Sequence, residues 1–187
     1  RAIGIRRVLP HHRALVVVEI QEFLDSIGQS PPAPVYLFCP AKGPGSKGNT
    51  FEPLLAERAI EKAVKHYVDP SMKDLCYALY HADETPAAEI VDAALTLPFL
   101  AERRVIVVRN AERFESESVG RPMLSYLENP SETTLLMMLA NKVDRRSKFY
   151  KACSKAGEVV PCPELKEHEA LLAARQAMEA RGKQVQG

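Results

Sequence analysis

Three short stretches of this chain carry residue types that could do chemistry. The first is Gly43-Pro44-Gly45-Ser46-Lys47-Gly48-Asn49-Thr50. Gly43 and Gly48 have four residues between them, and a residue and then a hydroxyl follow, which is the spacing of a phosphate-cradling loop. In such a loop the residue after the second glycine is Lys, whose full charge sits on the β- and γ-phosphates. Here that residue is Asn49, and a neutral amide carries no such charge. Lys47 lies on the wrong side of Gly48. Two readings stand side by side: a phosphate loop, or a glycine-rich turn in the place of one. The missing Lys favours the turn, although backbone amides at the start of a helix can still hold an anion weakly.

The second stretch is Val105-Ile106-Val107-Val108-Arg109-Asn110-Ala111-Glu112. In P-loop ATPases a hydrophobic strand of this kind delivers an Asp for Mg²⁺ and a Glu that activates water. Arg109 and Asn110 occupy those positions. A guanidinium cannot hold Mg²⁺ and an amide cannot act as a base. Glu112, two residues on, reads as an ordinary acid at a helix start. The third stretch is Leu135-Leu136-Met137-Met138-Leu139-Ala140 followed by Asn141. Asn141 stands where ATPases of the AAA+ class place a γ-phosphate sensor, although Asn is also common at strand ends for reasons of turn chemistry. The cluster Arg145, Arg146, Lys148 and Lys151 then reads either as a contact for phosphate or an acidic surface, or as a solvated helix face.

Positioning these residues takes a particular order of elements. Residues 35–39, 105–108 and 133–140 are apolar at nearly every position, as strands are when both faces of a parallel sheet are covered. Further strands are predicted at 75–80 and 159–160. Helices are predicted at 16–24, 51–67, 86–95, 118–127, 146–155 and 166–181, with Gly157 capping the fifth. Five strands alternating with helices predict an α/β, three-layer αβα domain with a five-stranded parallel sheet, and ligand sites at the carboxyl ends of the strands. The predicted divisions are an N-terminal extension at 1–13, the α/β domain at 14–163, and the start of a further helical domain at 164–187.

The bulk composition fits one well-cored domain. The chain has 187 residues, 46% hydrophobic and 26% charged, with a net charge of +1. That charge exerts no global pull on nucleic acid or an anionic membrane. No apolar run approaches the ~20 residues of a membrane helix. Cys39, Cys76, Cys153 and Cys162 show no metal-binding spacing and sit in or beside apolar runs, which implies small hydrophobes in a reducing cytoplasm. The chain begins at Arg1 without Met, so it reads as a piece of something longer.

Taken together, several segments resemble a family. Val35-Tyr36-Leu37-Phe38, Leu97-Pro98-Phe99-Leu100 with Arg103-Arg104 and the strand at 105–108, and Asn141-Lys142-Val143-Asp144-Arg145-Arg146-Ser147-Lys148-Phe149-Tyr150 look like the N-terminal domain of the bacterial DNA polymerase III delta subunit. Order and spacing agree over roughly 14–181. The resemblance implies an AAA+-like (P-loop NTPase-like) fold with degenerate nucleotide motifs and no bound cofactor. It also implies a non-catalytic clamp-loader subunit that binds the sliding clamp, the beta subunit, and holds its ring open while neighbouring subunits hydrolyse ATP. Other loader subunits would be met through further C-terminal domains, DNA only indirectly, and no membrane. In that family an apolar pair in the turn before the central strand enters a pocket on the clamp. The pair falls on Pro98 and Phe99, flanked by Leu97 and Leu100, with Pro98 where the family often has Leu. Read without the family, Phe99 would be expected to tuck into its own core; with it, an exposed anchor is expected. Two other expectations are kept open. One is a P-loop ATPase with a non-standard site using Lys47 and Glu112. The other is a DNA-binding module using Arg145, Arg146, Lys148 and Lys151.

Overall fold

The computed structural model describes residues 18–41, 53–99 and 101–162. The predicted extension at 1–13, the glycine-rich loop with Gly43, Gly48, Asn49 and Thr50, Leu100 and the helix predicted at 166–181 lie outside the described residues.

The chain runs α1 (Ile20–Ser26), β1 (Val35–Pro40), α2 (Leu54–Tyr67), the single turn α3 (Lys73–Cys76), β2 (Tyr77–His81), α4 (Ala87–Leu95), β3 (Arg104–Arg109), α5 (Glu117–Glu128), β4 (Thr134–Leu139), α6 (Lys148–Ala156) and β5 (Glu158–Cys162). The five strands form one parallel sheet in the order β2-β3-β4-β1-β5. Parallel neighbours need crossovers long enough to carry a helix, and each connection supplies one. β1 and β4 are buried along their whole length, which is why they read as unbroken apolar runs.

Alternate side chains of each strand feed two separate cores. Val35, Leu37, Ile106, Val108, Leu136 and Met138 pack under α4, α5 and α6. Tyr36, Phe38, Val105, Val107, Leu135 and Met137 pack under α1 and α2. Phe23 of α1 closes the second core edge-on against Tyr36 and Phe38, with centroids 4.9 and 5.1 Å away. All four cysteines are buried, as small hydrophobes are. Among the described residues, no helix is long and apolar enough to cross a membrane.

Several predicted boundaries move. The strand predicted from Leu75 begins only at Tyr77: Asp69 accepts from the Ser71 amide at 2.8 Å and caps a 3₁₀ turn, Pro70–Met72, which runs straight on into α3 with Leu75 and Cys76. The helix predicted from Arg146 starts at Lys148, where the Ser147 hydroxyl caps it by accepting from the Tyr150 amide. Gly157 follows that helix, but not in the left-handed conformation of a glycine cap: its φ is −162°, extended backbone open to any residue. Close approach is what demands glycine there. A Cβ at Gly157 would lie 1.9 Å from the Val35 carbonyl oxygen.

The topology separates two candidate regions. Arg109, Asn110 and Asn141 stand where strands end. Residues 96–99, which follow α4, and 101–103, which precede β3, belong to the opposite, amino-terminal end of the strands. Six strand residues at ~3.3 Å each put roughly 20 Å between them.

Candidate functional site

The strand-end region is a polar rim closed on itself. Arg109, the last residue of β3, reaches Glu57 in the first turn of α2, Nη2 to Oε2 2.8 Å. Its Nε is buried with no hydrogen-bond partner among the described residues. Where an ATPase of this fold would deliver a carboxylate to Mg²⁺, this chain places a cation already committed to a neighbouring acid. Tyr77 lies within reach of both charges, and its phenol is pushed up, mainly by desolvation.

Asn110 adopts φ +57°, the left-handed region that Asn tolerates better than most residues. Its Nδ2 donates to Asp83 at 2.6 Å, and that bond is the largest cause holding the Asp83 carboxyl below its ordinary value. Its Oδ1 accepts from Asn141 Nδ2 at 3.1 Å. Asn141 also donates from Nδ2 to Glu112 Oε1 at 3.2 Å and from its backbone amide to Glu112 Oε2 at 3.0 Å. The ends of β2, β3 and β4 are thereby laced together by Asp83, Asn110, Asn141 and Glu112. Asn141, placed by sequence as a phosphate sensor, here directs its amide at protein oxygens. Glu112 lies in the first turn of a 3₁₀ helix, Ala111–Glu115, as a helix-start acid does, and it is also the acceptor for Asn141. Arg109 and Asn110 bring no carboxylate to this rim, and its acids, Asp83 and Glu112, are hydrogen-bonded to Asn110 and Asn141.

The basic cluster is largely tied down as well. Arg146 pairs with Asp144 at 3.2 Å, Lys148 pairs with Glu117 at 2.9 Å, and Arg145 donates to the Ala41 carbonyl. The Arg146 contact lowers the Asp144 carboxyl and raises its own guanidinium.

At the opposite end the surface is apolar and open. Leu97 is 73% exposed and Phe99 68% exposed, while Pro98 between them is half-buried. Thr96 ends α4 with its hydroxyl donating to the Asp92 carbonyl at 2.8 Å, which fixes where the turn leaves the helix. Leu95, in the last turn of α4, is also exposed. It was not among the residues picked out from sequence. A helical wheel of α4 signals it: Ile90 and Ala94 take the inward positions, and Leu95 falls 100° further round, off that face.

The family model described as DNA polymerase III, delta subunit, matches residues 51–163, more than half of the chain. A DNA polymerase III subunit delta from Bacillus subtilis (strain 168) is 27% identical over 127 residues, covering 63% of this chain and 37% of that protein. Among solved structures, the Bacillus subtilis DNA clamp loader delta protein matches with a TM-score of 0.67 at 22% identity, covering 87% of this chain and 48% of that one. A DNA polymerase III gamma subunit-related protein from Thermotoga maritima matches with a TM-score of 0.50 at 14% identity, covering 86% and 52%. These two likenesses speak to the fold alone, an α/β domain with a five-stranded parallel sheet. The chain spans less than half the length of the curated relative it matches. On the family match, this chain belongs to the DNA polymerase III delta subunit family.

Proposed function

We infer that this chain is the clamp-gripping arm of a clamp-loader delta subunit, working in DNA replication without hydrolysing ATP itself. The observation that carries the reading is the exposure of Leu97 and Phe99 in a turn where polar residues are the norm, in a chain of this family. Phe99 is the proposed anchor in an apolar pocket of the sliding clamp, with Leu97 and Pro98 beside it; Leu100 is carried over from sequence alone. Truncating an aromatic hot spot seated in a pocket commonly costs ~2 kcal/mol or more of binding. The work is done by differential binding. A surface that fits the clamp better with its ring interface sprung shifts the population toward open rings by that difference in affinity, and no bond is made or broken.

The closed polar rim supports the second half of the reading. Arg109 and Asn110 bring no carboxylate, and the Asn141 amide is already engaged. On this reading other loader subunits are met through C-terminal domains of the kind the family carries, and DNA only through the assembly. The test is calorimetric titration of the chain with its cognate sliding clamp, with Phe99→Ala, and separately with Mg-ATP. Clamp binding lost in Phe99→Ala, with no heat from Mg-ATP, is the expected result. Mg-ATP binding without clamp binding would return the chain to the nucleotide hydrolases.

A further inference from the structure

We propose that strand β2, one edge of the sheet, pairs antiparallel with β2 of a second copy of this chain, about a two-fold axis through Leu79. The proposal does not rest on the clamp-gripping reading.

The two edges of the sheet are treated differently. At β5 the Val159 carbonyl faces outward and accepts from the Val18 amide at 2.9 Å, so Val18 covers that edge. Pro161 follows two residues on, on the same side, and has no N–H to offer there. Among the described residues β2 has no such cover. Its sequence, Tyr77-Ala78-Leu79-Tyr80-His81, also lacks the Lys or Pro that keeps edge strands apart. Leu79 at its centre is apolar and 41% exposed.

The backbone of β2 says what would fit it. The Ala82 amide donates to the Arg109 carbonyl at 2.9 Å, so Ala78, Tyr80 and Ala82 turn their backbone groups toward β3. Tyr77, Leu79 and His81 therefore turn theirs outward. Two of those outward groups are already used. The Tyr77 amide donates to the Lys73 carbonyl, and the His81 carbonyl accepts from Thr85 at 2.8 Å and Glu84 at 3.0 Å. The Tyr77 carbonyl, both groups of Leu79 and the His81 amide have no partner among the described residues. In an antiparallel pair, opposite residues exchange both hydrogen bonds or none, in alternation. With Leu79 opposite its own counterpart, Tyr77 falls opposite His81. The Leu79 pair exchanges both bonds, and on each flank the His81 amide meets the Tyr77 carbonyl. Every unpartnered group is then satisfied. The two groups this pairing cannot use are the two already bonded within the chain. An axis through Ala78 or Tyr80 satisfies only half as many. This fit of the strand to its own reverse makes a second copy the occupant, with Leu79 packed on Leu79 across the axis.

Leu79→Lys sets like charges directly across that axis from an exposed position, and Leu79→Glu does the same with the opposite sign. Circular dichroism and thermal melting first check that each variant is folded. Sedimentation of the unaltered chain over a concentration series is expected to show a monomer–dimer equilibrium. Each single variant loses the apolar pair and gains repulsion, and is expected to weaken association about 10-fold. An equimolar mixture of the two variants is expected to regain it, because Lys then faces Glu. Hydrogen exchange reads the same contact at the backbone: the Leu79 and His81 amides should slow as concentration rises, while those of Ala78 and Tyr80, which face β3, should not. A chain that sediments as a monomer throughout would overturn the proposal and leave β2 open to a strand of another protein. A dimer that Leu79→Lys leaves unchanged would place the contact elsewhere, and one that the mixture fails to restore would move Leu79 off the axis; either result overturns it.

Discussion

Phe99 is worth following first, because a single measurement separates its two possible roles. A phenylalanine that served its own fold would cost about 3–5 kcal/mol on truncation to alanine. At 68% exposure Phe99 has little packing to lose. Phe99→Ala is therefore expected to leave the melting temperature within about 1–2 °C of the parent, as exposed substitutions do. Clamp affinity should fall about 30-fold, the equivalent of ~2 kcal/mol. A large drop in melting temperature would mean the ring is core and the loss of binding indirect. Asn110 presents the complementary case: its side chain holds Asp83 and Asn141, partners 27 and 31 residues away in sequence. Phe99 stands out as a candidate anchor only through the family resemblance: the run Leu97 to Leu100 conflicts with the polar norm for a turn, but read alone it points to a ring tucked into its own core. The pairing of Asn110 is not legible at all, because nothing local specifies which distant amide a strand end will meet. The positive φ was foreshadowed by residue type, since Asn enters the left-handed region more readily than most.

Elements are held to one another by close approach as much as by apolar area. Gly157 sits between α6 and β5 with its backbone against β1, so that a Cβ would lie 1.9 Å from the Val35 carbonyl oxygen. β1 cannot yield easily, since it pairs with both β4 and β5. Gly157→Ala is expected to cost about 3 kcal/mol or more, the range of strained core substitutions. Urea unfolding followed by circular dichroism reads this directly, and circular dichroism suits a chain without tryptophan. A cost below about 1 kcal/mol would mean that β5 can swing away from β1. The Arg109–Glu57 pair ties α2 to the end of β3 more lightly. Both side chains are about a third exposed, at 39% and 31%, so a double-mutant cycle with Arg109→Met and Glu57→Gln is expected to give a coupling of about 0.5 kcal/mol. At this scale the sequence was legible wherever a segment's pattern answered to one environment. β1, β3 and β4 have both faces covered and read as apolar throughout. It misled where an apolar residue served a shorter element: Leu75 and Cys76 look like the start of a strand but complete a helical turn begun at Asp69. At Gly157 the cap position was read correctly, but the requirement for glycine comes from the neighbouring β1 backbone rather than from a left-handed cap.

The whole molecule answers to pH through the thiols enclosed in its sheet. Cys39 and Cys162 lie on the neighbouring strands β1 and β5, and Cys153 faces the same core as Cys39 from α6. Burial pushes the thiols of Cys39 and Cys162 from 9.0 up to about 12, against a modest opposing pull on Cys39 from Arg145. Cys153 is raised too, chiefly by desolvation. The sign follows from which state loses its protons first. Above pH 9 the unfolded chain releases them while the folded chain keeps them until about 12, so the unfolded state binds fewer protons across that window. Stability is then fully present below pH 9 and falls as pH rises toward 12, by up to ~1.4 kcal/mol per pH unit for each thiol that titrates in one state only. Tyrosines raised by burial, such as Tyr126, add to the loss above pH 10, so the thiol contribution needs its own control. Replacing Cys39 and Cys162 together by alanine leaves small apolar side chains that cannot ionise. The expected outcome is a melting temperature that drops steeply between pH 9 and 11 in the parent chain and less steeply in the double variant. A thiol reagent at pH 8 should correspondingly label the native chain only as fast as it opens. Parallel slopes in the two proteins would show that the sheet does not hold these thiols away from water, and with that the continuous burial of β1 that organises both cores would have to be abandoned.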